Sequence, residues 1–296
     1  MRYWICFLFL SAPVLSALAQ KKAPAAVRAL MVGTGIEKNE AGTNRIPQGT
    51  FASGAARELF RIRVPEGGAN GAAVVYNPRE KLYYAAQAGN KEFPLVIFNE
   101  AGNVLSYDQK TLMDIRGLWY NPNTRQIEGN GYKDFGWFAY NLDKKGFPES
   151  IRIIREGRSQ PDDHSAGVYN PDANEVYFLS GTDLIVYRTN GLPLGKVIKL
   201  KVGARSNADN PIVSQTEFEE NYNFRSIVYT GMAGAEIGLL NTSKKQVELY
   251  DLQTGYLTRT ISLPLTFEPE SYFNFSFSNN TFWLFDKSTR HWVGYR

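Results

Sequence analysis

Two carboxylates beside a histidine, and two arginines at matched places in a repeat, are the residues of this chain best suited to chemistry. Asp162-Asp163-His164 joins acidic oxygens to an imidazole, which titrates near neutral pH and ligates metals readily. Asp162 and Asp163 are therefore the candidate metal ligands. Calcium is the ion to test, through oxygens of Asp162, Asp163, Glu220 or Glu270. The only histidines are His164 and His291. Catalytic zinc usually takes three protein ligands, so a histidine-only zinc site is excluded within one chain. No calcium-loop spacing is present, and an Asp-rich turn ahead of a strand accounts for the same residues. No cofactor is expected.

Hydrolysis of a sugar bond would need two carboxylates flanking it. Asp114, Asp163 and Glu270 are the candidates, with His164 as a further acid–base group. Against them stands their number, three among 29 acidic residues. No Gly-x-Ser-x-Gly elbow marks a serine nucleophile. No glycine-rich phosphate loop occurs between a strand and a helix. Arg116 lies four residues before Tyr120, and Arg225 four before Tyr229. At equal heights in two repeats, their guanidinium groups could grip a carboxylate or phosphate. The competing reading is a pair of structural ion pairs between repeats. Phe218 and Tyr222, in a long insertion with Glu217, Glu219 and Glu220, are candidates for an exposed aromatic binding patch with Tyr272 and Phe273.

The elements that position these residues follow from a repeated phrase. Val75-Tyr76-Asn77-Pro78 recurs as Trp119-Tyr120-Asn121-Pro122 and as Val168-Tyr169-Asn170-Pro171. Each phrase ends an apolar stretch and leads through a turn into more strand-like sequence. A period of about 40–50 residues with several short strands per unit is the signature of a β-propeller blade. Four repeats carry four strands each, and the unit after residue 271 carries three. The alternating segment Glu58-Leu59-Phe60-Arg61-Ile62-Arg63 has no blade of its own. It is expected to complete the last blade and so close the ring, because open strand edges are sticky. The fold class is all-β, one propeller over 57–296, with five blades. Six blades are the alternative, if 27–52 and 202–223 hide strands. Small residues Ala73, Gly117, Ala166, Ser226 and Asn274 are expected where the inner strands crowd the channel. The tyrosines are expected to pack between blades.

These repeats resemble those of bacterial secreted propellers in the broad group that holds gluconolactonase-like, NHL-type and beacon-like proteins. The resemblance rests on blade rhythm and the aromatic-Asn-Pro turn across most of 57–296. It implies the fold and carries no catalytic residue onto this chain.

Arg2, the apolar run from Trp4 to Leu18 and Ala17-Leu18-Ala19 read as a signal peptide over 1–19, cleaved before Gln20. The run is short for a membrane anchor, and no second apolar run offers a stable span. Residues 20–56 read as an arm or linker. Cleavage would remove Cys6, the only cysteine, leaving a disulfide-free exported protein of the bacterial periplasm or extracellular space. The 33 basic and 29 acidic residues are well mixed, for a net charge of +4. Nucleic-acid binding usually needs a clustered basic face, so it is not expected. The sequence points first to an exported, monomeric, non-catalytic binding protein that holds a protein or glycan on its loop face. The alternatives are a carbohydrate- or lactone-active hydrolase or lyase, and a structural part of an envelope assembly.

Overall fold

The hydrogen bonds of the repeat turns explain why the chain folds back at such regular intervals. The Asn77 side chain accepts from the backbone N–H groups of Arg79 and Glu80, Asn170 from those of Asp172 and Ala173, and Asp286 from those of Ser288 and Thr289. Lys81, Asn174 and Arg290 then take positive φ, which reverses the chain. Pro78, Pro122 and Pro171 occupy the place after the Asn, where a pre-set φ suits the turn.

The computed structural model describes residues 52–296. Two short strands come first, β1 (Ala52–Ala55) and β2 (Glu58–Arg63). Blade one is β3 (Asn70–Asn77), β4 (Leu82–Ala88), β5 (Val96–Asn99) and β6 (Val104–Ser106). Blade two is β7 (Ile115–Asn121), β8 (Gln126–Gly131), β9 (Trp137–Leu142) and β10 (Pro148–Arg155). Blade three is β11 (Val168–Asn170), β12 (Glu175–Ser180), β13 (Asp183–Arg188) and β14 (Pro193–Lys199). Helix α1 (Gln215–Asn221) lies in the link to blade four. That blade holds β15 (Val228–Tyr229), β16 (Ile237–Asn241), β17 (Gln246–Tyr250) and β18 (Leu257–Ser262). Blade five is β19 (Phe275–Ser278), β20 (Thr281–Asp286) and β21 (His291–Tyr295). The inner strands β3, β7, β11, β15 and β19 contact one another in ring order, and β19 returns to β3. The ring is a five-bladed propeller.

Closure is as the sequence predicts. β2 pairs antiparallel with β21 as the outer strand of blade five, with Ile62 opposite Trp292 and Arg61 opposite Val293. Two expectations are corrected. The end of the arm, β1, is a fifth strand on blade four, paired parallel with β18 from Ala52 opposite Arg259 to Ala55 opposite Ser262. The propeller therefore starts before residue 57, and 52 contributes no sixth blade. The stretch 202–223 holds α1 instead of hidden strands. Ser214 caps this helix at a Ser-x-x-Glu start, its hydroxyl accepting from the Glu217 N–H and donating to the Glu217 carboxylate. The signal peptide and most of the arm, including 27–51 of the six-blade alternative, lie outside the described residues.

The core sits between blades. Trp137, Trp283 and Trp292 are fully buried. The repeat tyrosines pack as the sequence suggests. Tyr229 of blade four meets the Tyr177 ring of blade three at 6.4 Å and donates to Asp172 at 3.1 Å. Tyr169 of blade three donates to Asn121 of blade two at 3.3 Å. Among the described residues no helix is long and apolar enough to cross a membrane.

Candidate functional site

The inner strands approach so closely that side chains have little room beside them. A Cβ on Gly117 would lie 2.5 Å from the backbone N and O of Gly167 on the next blade. Small residues at this height leave a channel of about 380 Å3 along the ring axis. Ala73, Gly117, Ala166 and Ser226 line it, as expected from the sequence. Asn274 instead ties blade five to blade one, its Oδ1 accepting from Gly71 N–H at 2.6 Å.

Arg116 reaches the channel because of a backbone irregularity. Ile115 pairs with Gly131 and Gly117 with Asn130, so Arg116 is the extra residue of a β-bulge. Bulges re-aim the side chain they carry. Arg116 is 4 % exposed and is among the residues that line the channel. Asp114 takes its Nη1 at 2.5 Å and its Nη2 at 3.4 Å. The same carboxylate accepts from Gly89 N–H at 2.7 Å. Burial lowers the Arg116 pKa, with Asp114 and Tyr132 opposing.

Aromatic rings complete this end of the channel. Arg116 lies 4.5 Å from the Tyr132 ring centre and 5.2 Å from that of Phe273, which attracts the cation to the ring faces. His164 lies 5.0 Å from Tyr132 and 6.0 Å from Phe273. Phe273 belongs to blade five, Arg116 to blade two and His164 to the link before blade three. Blades two and three do not adjoin blade five, so these side chains meet across the axis and cap the channel. Phe273 and Asn274 hold this position with φ of 54° and 59°. For a phenylalanine that is a strained conformation, kept only where the surroundings enforce it.

The opposite end is rimmed by the repeat tyrosines. Tyr76, Tyr120, Tyr169 and Tyr229 line the opening, with Phe277 in the fifth place. Tyr76 donates to Glu100 at 2.6 Å, and burial followed by this carboxylate pushes its pKa up. The link-loop face expected to hold the ligand is thus the capped one, and the turn face is the open one.

The carboxylates proposed for chemistry are each engaged. Asp114 holds Arg116, Asp162 pairs with Arg225, Asp163 with Arg158 at 3.2 Å, and Glu270 with Lys287 at 2.9 Å. Among the described residues no three His, Cys, Asp or Glu side chains converge as a metal site would require. Asp162 is better described as a turn residue, its side chain accepting from His164 N–H at 2.8 Å. Arg225 makes the inter-blade ion pair expected as the structural reading, and does not join Arg116 in the channel lining. Phe218 and Tyr222 are corrected outright. They are 0 % and 1 % exposed, stacked at 5.2 Å, because the helix turns its apolar side into the core. Tyr222 donates to the buried Glu248 at 2.8 Å, as does Tyr250 at 2.6 Å. Phe273 is also buried, leaving only Tyr272 of the proposed patch exposed.

No family model matches the chain, and no curated protein matches it. Solved structures do. Myxococcus xanthus glutaminyl cyclase superposes with a TM-score of 0.51 at 11% identity, over 83% of this chain and 97% of that one. The Swd1 β-propeller domain of Myceliophteria thermophila gives 0.45 at 10% identity, over 81% and 99%. A Bacteroides thetaiotaomicron protein of unknown function gives 0.46 at 10%, over 76% and 58%. The likeness is one of fold. At such identities no residue role passes from the neighbours to this chain.

His164 gives this end of the molecule a pH signature. Burial lowers its pKa, followed by Arg116 and Arg225, against Asp162 and Asp163. A folded pKa below the ordinary value near 6.5 means that the unfolded chain binds more protons. Stability is then full above pH 6.5 and declines as pH falls below it. The drop in Tm between pH 7.5 and 5.5 is expected to be smaller in His164→Gln than in the parent. An unchanged drop would show that His164 is solvated like a free imidazole.

Proposed function

We propose that the protein is an exported, non-catalytic binding propeller whose ligand site is the central channel, entered through its tyrosine rim. The observation that carries this reading is the channel itself. It has one end capped by Arg116, Phe273 and His164 and the other ringed by aromatic side chains, with about 380 Å3 between. Small-molecule sites are concave, largely apolar and of about 300–1,000 Å3, with a few placed polar groups. Binding is favoured over hydrolysis because each candidate carboxylate is already neutralised by a cation. Export rests on residues 1–19, and N-terminal sequencing of protein recovered outside the cytoplasm should then begin at Gln20.

A thermal-shift screen with sugars, sugar acids and aromatic amides tests the channel. Ligands bound to the native state raise Tm by mass action. Val168, half-buried, lines the channel and offers a way to fill it. Val168→Trp, with cooperative melting retained, is expected to abolish any shift seen in the parent. Tyr120→Ala is expected to weaken it about tenfold by removing part of the rim. Shifts that survive both substitutions would place binding elsewhere.

A further inference from the structure

Below its rim the central channel offers an occupant few hydrogen-bonding partners. Four side chains that line it between the cap and the tyrosines carry a polar atom: Arg116, Trp119, Ser226 and Ser276. Each is already used or out of reach. Asp114 holds Nη1 and Nη2 of Arg116, Trp119 donates to Glu128 at 3.4 Å, and Ser276 donates to Val74 O at 3.1 Å. Arg116 Nε and Ser226 Oγ lack partners, but both are shut away from solvent, so an occupant of the channel does not meet them.

The backbone is drawn off in the same way. The inner strands are the edge strands of their blades, and an open edge presents unpaired N–H groups. Side chains take several of them. Gly71 N–H donates to Asn274 Oδ1 at 2.6 Å, Val74 to Ser276 Oγ at 3.1 Å, Gly167 to Asn130 Oδ1 at 3.0 Å and Ser226 to Asn223 Oδ1 at 2.9 Å. The remaining walls are chiefly aliphatic and aromatic, with Ala73, Leu118, Ala166, Val168, Ile227 and Phe275 among them. A sugar, with a hydroxyl on most of its carbons, would leave those groups unpaired in this stretch, at a cost in free energy.

The space is also long for its volume. Arg116 and Pro122 both line it and stand six residues apart, roughly 20 Å in extended chain. About 380 Å3 over that length gives a mean cross-section of roughly 19 Å2, close to that of one extended hydrocarbon chain. One end is capped and the other opens between tyrosines. A molecule with a slender apolar part and a polar end left in solvent suits both ends.

We propose that the channel holds a single unbranched aliphatic chain, with the polar end of that amphiphile at the tyrosine rim. This rests on the channel reading above and names its ligand class. Removal of each methylene from water drives binding, and the depth of the channel sets the chain length that it takes.

Calorimetric titration with n-alkanoates of six to eighteen carbons, below their micellar concentrations, tests it. Affinity is expected to rise about fourfold per added carbon, the factor equivalent to 0.8 kcal/mol per buried CH2, and to level off once the chain fills the channel. A series that climbs without a break would show partition onto an open surface and overturn the proposal. Three acids of eight carbons hold head group and carbon number fixed: octanoate, the branched 2-propylpentanoate and phenylacetate. Octanoate is expected to bind at least about tenfold tighter than either, because extra width in a packed channel is penalised. Equal or tighter binding of the branched or aromatic acid would overturn the proposal, as would failure of every alkanoate to bind. Ala166 lines the channel three residues before Tyr169, so Ala166→Leu narrows its deep half. The variant should level off at a shorter chain than the parent while hexanoate binds as before. An unmoved break would place the chain elsewhere. If Ala166→Leu does not melt cooperatively, Val168→Trp carries the test, and alkanoate binding that survives it overturns the proposal. A sugar or aromatic amide that binds and is lost with Val168→Trp, while alkanoates stay inert, would keep the channel as the site and remove only its acyl ligand.

Discussion

Replacing Asp114 by alanine is expected to lower the free energy of unfolding by about 3–5 kcal/mol, the usual cost of stranding one member of a buried ion pair. The side chains of Arg116 and Asp114 are 5 % and 10 % exposed. Without Asp114 the guanidinium would keep the Ile115 carbonyl at 3.0 Å and the two aromatic faces, none of which carries a full negative charge. The Gly89 N–H would lose its acceptor as well. Urea unfolding of Asp114→Ala beside the parent measures the effect. The double variant Asp114→Ala/Arg116→Met should recover much of the loss, because it removes the unpaired charge along with its partner. A loss under about 1 kcal/mol in the single variant would mean that the pair behaves like an exposed one, and the account of a buried ion pair at the capped end would fall with it.

Deletion of residues 57–64 should abolish cooperative folding of the ring. This segment contains β2, whose ladder with β21 supplies the outer edge of blade five. It also carries Ile62 and Val64, 3 % and 1 % exposed, into the cluster of Trp283, Phe285 and Trp292. Losing one large buried aliphatic side chain costs about 2–5 kcal/mol. Two such losses together with an exposed strand edge approach the whole net stability of about 5–15 kcal/mol. Calorimetry should show no sharp transition, and the purified protein should associate through its open edge. A deletion that melts as sharply as the parent would show that blade five holds with three strands.

Much of the architecture was legible because it is written locally. The Asn-Pro turns are local hydrogen-bond motifs, complete within about five residues, as Asn77 with Arg79 and Glu80 shows. Spaced along the chain, they mark the blades before any tertiary contact is considered. The surplus strand at 58–63 could be assigned because a three-stranded last unit lacks one edge. The helix at 215–221 was missed, although Ser214 followed by Glu217 is a helix-start signal that could have revealed it. The strand at 52–55 was missed because Ala-Ser-Gly-Ala has little strand pattern and pairs only through its backbone with β18.

The site was far less legible. Residue type made Phe218 and Tyr222 suitable for a surface patch, but their exposure depended on which way the helix faced. Asp114, Asp163 and Glu270 could be acids or partners, and only the arrival of Arg116, Arg158 and Lys287 decided it. The sequence alone determined the blades, their turns and the ring closure, because each depends on spacing and on hydrogen bonds between near neighbours. The tertiary structure alone decided which end of the channel is capped and which polar atoms lack partners. Those properties arise where side chains more than 100 positions apart, such as Phe273 and Arg116, meet across the ring axis, and a bulge of one residue is enough to turn Arg116 into that meeting point.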